Sequence, residues 1–121
     1  MTTTRQNAIR GRVNPGIAYG TTESFTASDT LTVAESGKVC NNSGASATVT
    51  LTAPAGATGL RYTLDRVAAY AMRFEPNGSQ TIADGGAGKY VELQSKGRLT
   101  FEWNGTQWVI VEDTCTWNYE P

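Results

Sequence analysis

The run TFEWNGTQWVI, Thr100 to Ile110, constrains the fold of this chain more than any other stretch. Asn-Gly between two alternating runs is the strongest short-range hairpin signal, because a two-residue turn of the primed type needs positive φ at both central positions. Counting outward from Asn104 and Gly105 pairs Trp103 with Thr106, Glu102 with Gln107, Phe101 with Trp108, Thr100 with Val109 and Leu99 with Ile110. Side chains alternate between faces along a strand. One face therefore collects Leu99, Phe101, Trp103, Trp108 and Ile110, and the other collects Thr100, Glu102, Gln107 and Val109. A slip of one residue would turn the aromatic set outward, so the register is well specified. Cross-strand aromatic pairs are ordinary sheet stabilisers. The stripe reads as core, with Trp103, nearest the turn, the most exposed of the set.

The rest of the chain repeats this style. Strand-like runs recur between turn residues: Thr30–Val33, Lys38–Cys40, Thr48–Thr52, Leu60–Leu64 and Tyr90–Leu93. In Thr48–Thr52, Val49 and Leu51 face inward and three threonines outward, while Leu60, Tyr62 and Leu64 share a face. The segment DRVAAYAMRF, Asp65 to Phe74, carries a helical spacing at Val67, Tyr70, Ala71 and Phe74. It reads better as two strands, with Met72 and Phe74 inward, because Pro76-Asn77-Gly78 ends it sharply and its neighbours are strand-like. Thr114–Tyr119 alternates weakly and can add an edge strand. A Thr count of 18, 13 glycines and 17% charged residues suit strands and turns. The expectation is all-β: an antiparallel β-sandwich or jelly roll of about eight to ten short strands with an extended N-terminal arm. No repeat of fixed period is evident, so a propeller or solenoid is not expected. Residues 1–22 read as the arm and 23–121 as one domain.

The arm carries Arg5, Arg10 and Arg12 with no acidic residue before Glu23, whereas Glu112, Asp113 and Glu120 lie at the other end. Both ends suit contacts. The net charge of −1 argues against a nucleic-acid groove. No apolar run approaches the roughly 20 residues of a membrane span, and the start MTTTRQNAIRGRV lacks the apolar segment of a secretory signal. Maturation in a cytoplasm, with Cys40 and Cys115 reduced rather than bridged, is therefore expected. There is no histidine, hence neither the commonest general base nor the commonest neutral metal ligand. Acidic residues fall singly on outward positions or turns (Glu75, Asp84, Glu92 and Glu102) rather than as a catalytic pair. Asp84-Gly85-Gly86-Ala87-Gly88 lacks the alternating oxygens of a calcium loop and the Gly-Lys-Ser/Thr of a phosphate loop. No catalytic, metal or cofactor site is expected.

The run SFTASDTLTVAESGKVCNNSGASATVTLT, Ser24 to Thr52, followed by APAGATGLRYTL, resembles small virion proteins of tailed bacteriophages. These include capsid decoration (cement) proteins and related modules of head and tail fibres. Matching features are the Thr-Ala-Ser-Asp-Thr-Leu opening, the Glu35-Ser36-Gly37-Lys38 turn, the Asn-rich loop and the Pro-Ala-Gly link into Gly59-Leu60-Arg61-Tyr62. The Gly-Lys-Tyr-Val-Glu-Leu strand and the Asn-Gly-Thr-x-Trp hairpin match as well, so the likeness spans roughly residues 24–117; Thr114–Pro121 departs from the family's closure. The resemblance implies a protein without a reaction, seated on the outer capsid surface of a head assembled in the host cytoplasm. Its partners would be the major capsid protein and two further copies in a homotrimer. Capsid contacts then fall on Arg5, Arg10 and Arg12, and subunit contacts on Trp117 and Tyr119. The rival expectation is a fibre or receptor-binding module that stacks cell-surface glycan on Trp103 or Tyr70.

Overall fold

The computed structural model describes residues 20–121. Ten strands form two five-stranded sheets, with a 3-10 helix at Val33–Glu35 and no α-helix among the described residues. The strands are β1 (Thr22–Ser24), β2 (Asp29–Thr30), β3 (Val39–Asn41), β4 (Val49–Thr52), β5 (Arg61–Arg66), β6 (Met72–Glu75), β7 (Val91–Leu93), β8 (Gly97–Trp103), β9 (Trp108–Asp113) and β10 (Trp117–Tyr119). The first sheet runs β1-β3-β5-β8-β9 and the second β2-β4-β6-β7-β10. The all-β, two-layer expectation holds. DRVAAYAMRF is indeed the end of one strand and the start of another, with Met72 and Phe74 inward.

Two expectations need correction. The pairing is not antiparallel throughout: β1-β3, β3-β5, β2-β4 and β4-β6 are parallel. Through β6 the chain alternates between the sheets at every step, so its first half winds as three stacked rungs of a short two-sheet solenoid. The periodicity is invisible in sequence because the rungs differ in length. Thr22 sits over Val39 and Val39 over Thr63, offsets of 17 and 24 residues, while Asp29 to Leu51 and Leu51 to Phe74 step by 22 and 23. From β7 onward pairing is antiparallel, and this half closes the coil at one end.

The second correction concerns the hairpin. Trp103 pairs with Trp108, Glu102 with Val109 and Phe101 with Ile110, so the loop has four residues rather than two. Asn104 explains this: its Oδ1 accepts from the backbone N–H groups of Thr106 and Gln107, both at 3.0 Å, and its own N–H donates to the Gln107 carbonyl. The side chain closes a wider turn than the dipeptide alone would. Next to the turn the shift is two residues, so Phe101, Trp103, Trp108 and Ile110 keep their face; beyond a bulge at Val111, Thr100 lies opposite Glu112 and Leu99 opposite Asp113, a shift of three. Leu99, Phe101 and Trp108 are fully buried, with Trp103 and Ile110 packed against them.

Trp108 is the centre of the core. Its ring lies edge-on to Phe74 at 5.3 Å and to Trp103 at 5.6 Å, and tilted against Tyr62 at 5.9 Å, while Phe74 stacks on Phe101 at 4.1 Å. The parallel rungs contribute Cys40, Val49, Leu51, Tyr62 and Leu64 to the same interior. Burial of each large apolar side chain contributes roughly 1.5–3 kcal/mol.

All four sheet edges are blunted. Glu23 shares the register of buried Cys40, so it points inward at the β1 edge, where it is paired with Lys38 at 3.0 Å. β2 is only two residues long, and the Asp29 carboxylate accepts from the Thr30 N–H at 2.8 Å. The segment Thr81–Ala83 covers the start of β9 through both backbone groups of Trp108, and Val111 bulges out of the β8-β9 ladder. β10 has three residues. Short strands, inward charges and bulges are the standard means of refusing a further strand.

Candidate interaction surface

With the edges closed, the described residues offer contacts through side chains on the two sheet faces or on the connections between them. The outer face of the first sheet is a polar lattice. Arg61 meets Glu102 at 2.7 Å and Arg98 meets Asp65 at 3.3 Å, flanking Thr63 and Thr100, whose hydroxyls lie 2.8 Å apart. Thr100 donates to the Glu112 carboxylate at 2.8 Å, so Thr63 is the donor to Thr100. On the second sheet, Arg73 lies 3.4 Å from Glu92 and 4.4 Å above the Tyr90 ring. Beside it is an open groove of about 390 Å3 lined by Ser28, Asp29, Thr30, Thr50, Thr52 and Glu75. No group of three or more potential metal ligands occurs among the described residues.

The connections that pass from the first sheet to the second are different in kind. They are residues 25–28, 42–48 and 67–71, and the parallel winding stacks them side by side on one flank. Gly44 approaches the Thr26 side chain, and Thr50 N–H donates to Ser28 Oγ at 2.9 Å. None of the residues in these three connections carries a charge. The third is held by side chains at five of its backbone groups. Asn42, fully buried, accepts on Oδ1 from the N–H groups of Val67 and Ala68 at 2.9 and 3.0 Å, and donates through Nδ2 to the Tyr70 carbonyl at 2.9 Å. Arg66 donates to the carbonyls of Ala68, Ala69 and Leu93 at 3.2, 2.6 and 3.0 Å. The loop so held turns Val67 and Tyr70 to solvent, 40% and 46% exposed. A rigid loop with exposed apolar side chains loses little entropy when it docks.

The residues singled out in the sequence fall in three places. Arg5, Arg10 and Arg12 lie outside the described residues. Trp117 and Tyr119 come together on β10, rings perpendicular and 5.4 Å apart, half-buried against the core. Trp117 Nε1 donates to Asp113 at 3.2 Å, and the Tyr119 ring fits against Gly85, where a Cβ would meet it at 2.5 Å. Trp103 lies flat on Gly56, and a Cβ there would stand 2.2 Å from the indole. Of the two aromatic residues considered for stacking, only Tyr70 is exposed.

Sequence reasoning passed over Asn42 and Arg66. Asn42 read only as part of an Asn-rich loop, and no local signal says that its amide reaches a segment 25 to 28 residues away. Both cysteines are free. Burial pushes the Cys40 thiol up to about 12 and that of Cys115 to about 11. No protein-family model matches the chain, and no curated protein matches it.

Proposed function

We propose that this chain is a structural protein of a tailed-phage virion that binds the outer capsid surface and stabilises the head by bridging major capsid subunits. The observation that carries the reading is the locked connection 67–71, a side-chain platform of fixed shape on a body whose sheet edges refuse further strands. Such a body suits adhesion by a preformed surface. Weak adhesion repeated over many symmetric positions stabilises a shell because the contacts must fail together. The resemblance over residues 24–117 supplies the virion setting. In this reading Arg5, Arg10 and Arg12 meet acidic capsid loops, and Trp117 and Tyr119 lie toward neighbouring copies in a homotrimer.

The test is to mix purified protein with undecorated heads, measuring bound copies and the temperature at which heads release DNA. Binding with a raised release temperature is expected; heads that bind none sink the proposal. Deleting residues 2–12 is expected to lower occupancy, and unchanged occupancy would end the arm's role. A second reading, a fibre module recognising neutral glycan, is favoured by one observation, the exposed Tyr70 ring. Retention of the isolated protein on a glycan surface, abolished by Tyr70→Ser, would select it.

A further inference from the structure

We propose that the flank formed by connections 25–28, 42–48 and 67–71 is the face that docks on the shell, with Tyr70 and Val67 as its anchors. The occupant is an uncharged protein surface of the capsid with a recess for a phenol ring. This rests on the head-binding reading above and names the surface that performs it.

Charge is the first argument. Both sheet faces carry ion pairs, whereas the residues of these three connections carry none. The Arg66 guanidinium beside them is spent on the carbonyls of Ala68, Ala69 and Leu93, so a charged partner would lose hydration here for little counter-charge and complementarity selects a neutral one. Pre-organisation is the second. Asn42 and Arg66 bind two N–H groups and three carbonyls of the segment from Val67 to Tyr70, so the loop need not be ordered on binding. The third is the shape of the rest of the flank. Thr26, Ala27, Ser43, Gly44, Ser46 and Ala47 are exposed and short, and leave the two larger side chains of the next connection to lead the contact. Tyr is a frequent anchor because it buries a large ring with few rotatable bonds while its hydroxyl retains a hydrogen bond.

The experiment measures binding of wild type, Tyr70→Ser, Val67→Ser and the double variant to undecorated heads, from low salt to about 0.5 M. The melting curve of each variant verifies folding; both positions are exposed, so little change is expected. The proposal expects the double variant to bind at least about tenfold more weakly than wild type, and that ratio to change less than about threefold over the salt range, because any salt dependence carried by the arm arginines is common to both proteins. Wild-type binding with an unaltered double variant overturns the inference and leaves the head-binding reading standing, as does a wild-type-to-variant ratio that collapses as salt is raised. Competition by neutral oligosaccharide would make the flank a sugar site, and dissociation of a free oligomer by Tyr70→Ser would make it a contact between copies; either overturns it. Wild type that does not bind heads overturns the reading and the inference together.

Discussion

Asn42 acts on a connection 25 residues further along the chain, where its amide oxygen takes two N–H groups and its amide nitrogen gives one hydrogen bond. Replacing it with alanine strands two donors and one acceptor, a loss of about 2–3 kcal/mol. Asn42→Ala should therefore lower the denaturant midpoint and make the chain cleavable by chymotrypsin at Tyr70, a bond the held loop is expected to protect in the wild type despite its exposed ring. Equal cleavage of the two proteins would show that the loop is not held by this residue. A second consequence at this scale is alkaline sensitivity. Burial raises the Cys115 thiol to about 11, and the Cys40 thiol and the Tyr62 phenol each to about 12. In the unfolded chain a thiol ionises near 8.5 and a phenol near 10. The unfolded state thus releases protons first as pH rises, so the contribution of these three groups is level up to about pH 8 and lowers stability progressively toward pH 12. Denaturant melts across that range test this, and Cys115→Ser should soften the early part of the fall.

Individual strands were legible in the sequence wherever one face is buried and the other wet. Val49 and Leu51 against their threonines, and Met72 and Phe74 against Arg73 and Glu75, declare both strand and face by simple alternation. The aromatic hairpin was legible for the same reason, and its faces survived a misjudged turn because the error was an even number of residues. Strand partners were not legible. Parallel pairing between Val39 and Thr63, or Leu51 and Phe74, leaves no local turn signature, and unequal rungs leave no period. The candidate surface was half visible: Tyr70 could be named from its sequence, whereas the Asn42 amide reaches its loop from the preceding rung and no sequence signal turns the Arg66 guanidinium back onto the carbonyls two and three residues on. Ring-on-glycine contacts were equally hidden. Gly56 and Gly85 looked like plain linker residues, yet each makes room for an aromatic face. Gly56→Ala should displace Trp103, shift tryptophan emission to the red and cost about 1–3 kcal/mol. Unchanged emission would mean that the indole does not rest there.

At the scale of the whole molecule, the contrast is between closed edges and an open flank. The Glu23–Lys38 pair keeps the first rung from presenting an apolar, unpaired strand. Replacing both residues with valine should leave the fold intact and convert a discrete species into concentration-dependent aggregates, measured by light scattering. A variant that stays as disperse as wild type would deny the pair that role. The placement of Trp108 has a further implication for how the protein is made. The indole around which both layers close belongs to the ninth of ten strands, and β5 lies beside β8 rather than beside a strand that precedes it at that edge. While the ribosome is still translating the early rungs, they have nothing to close upon. The nascent chain must wait, loosely wound, for β8 and β9 to emerge before it can set.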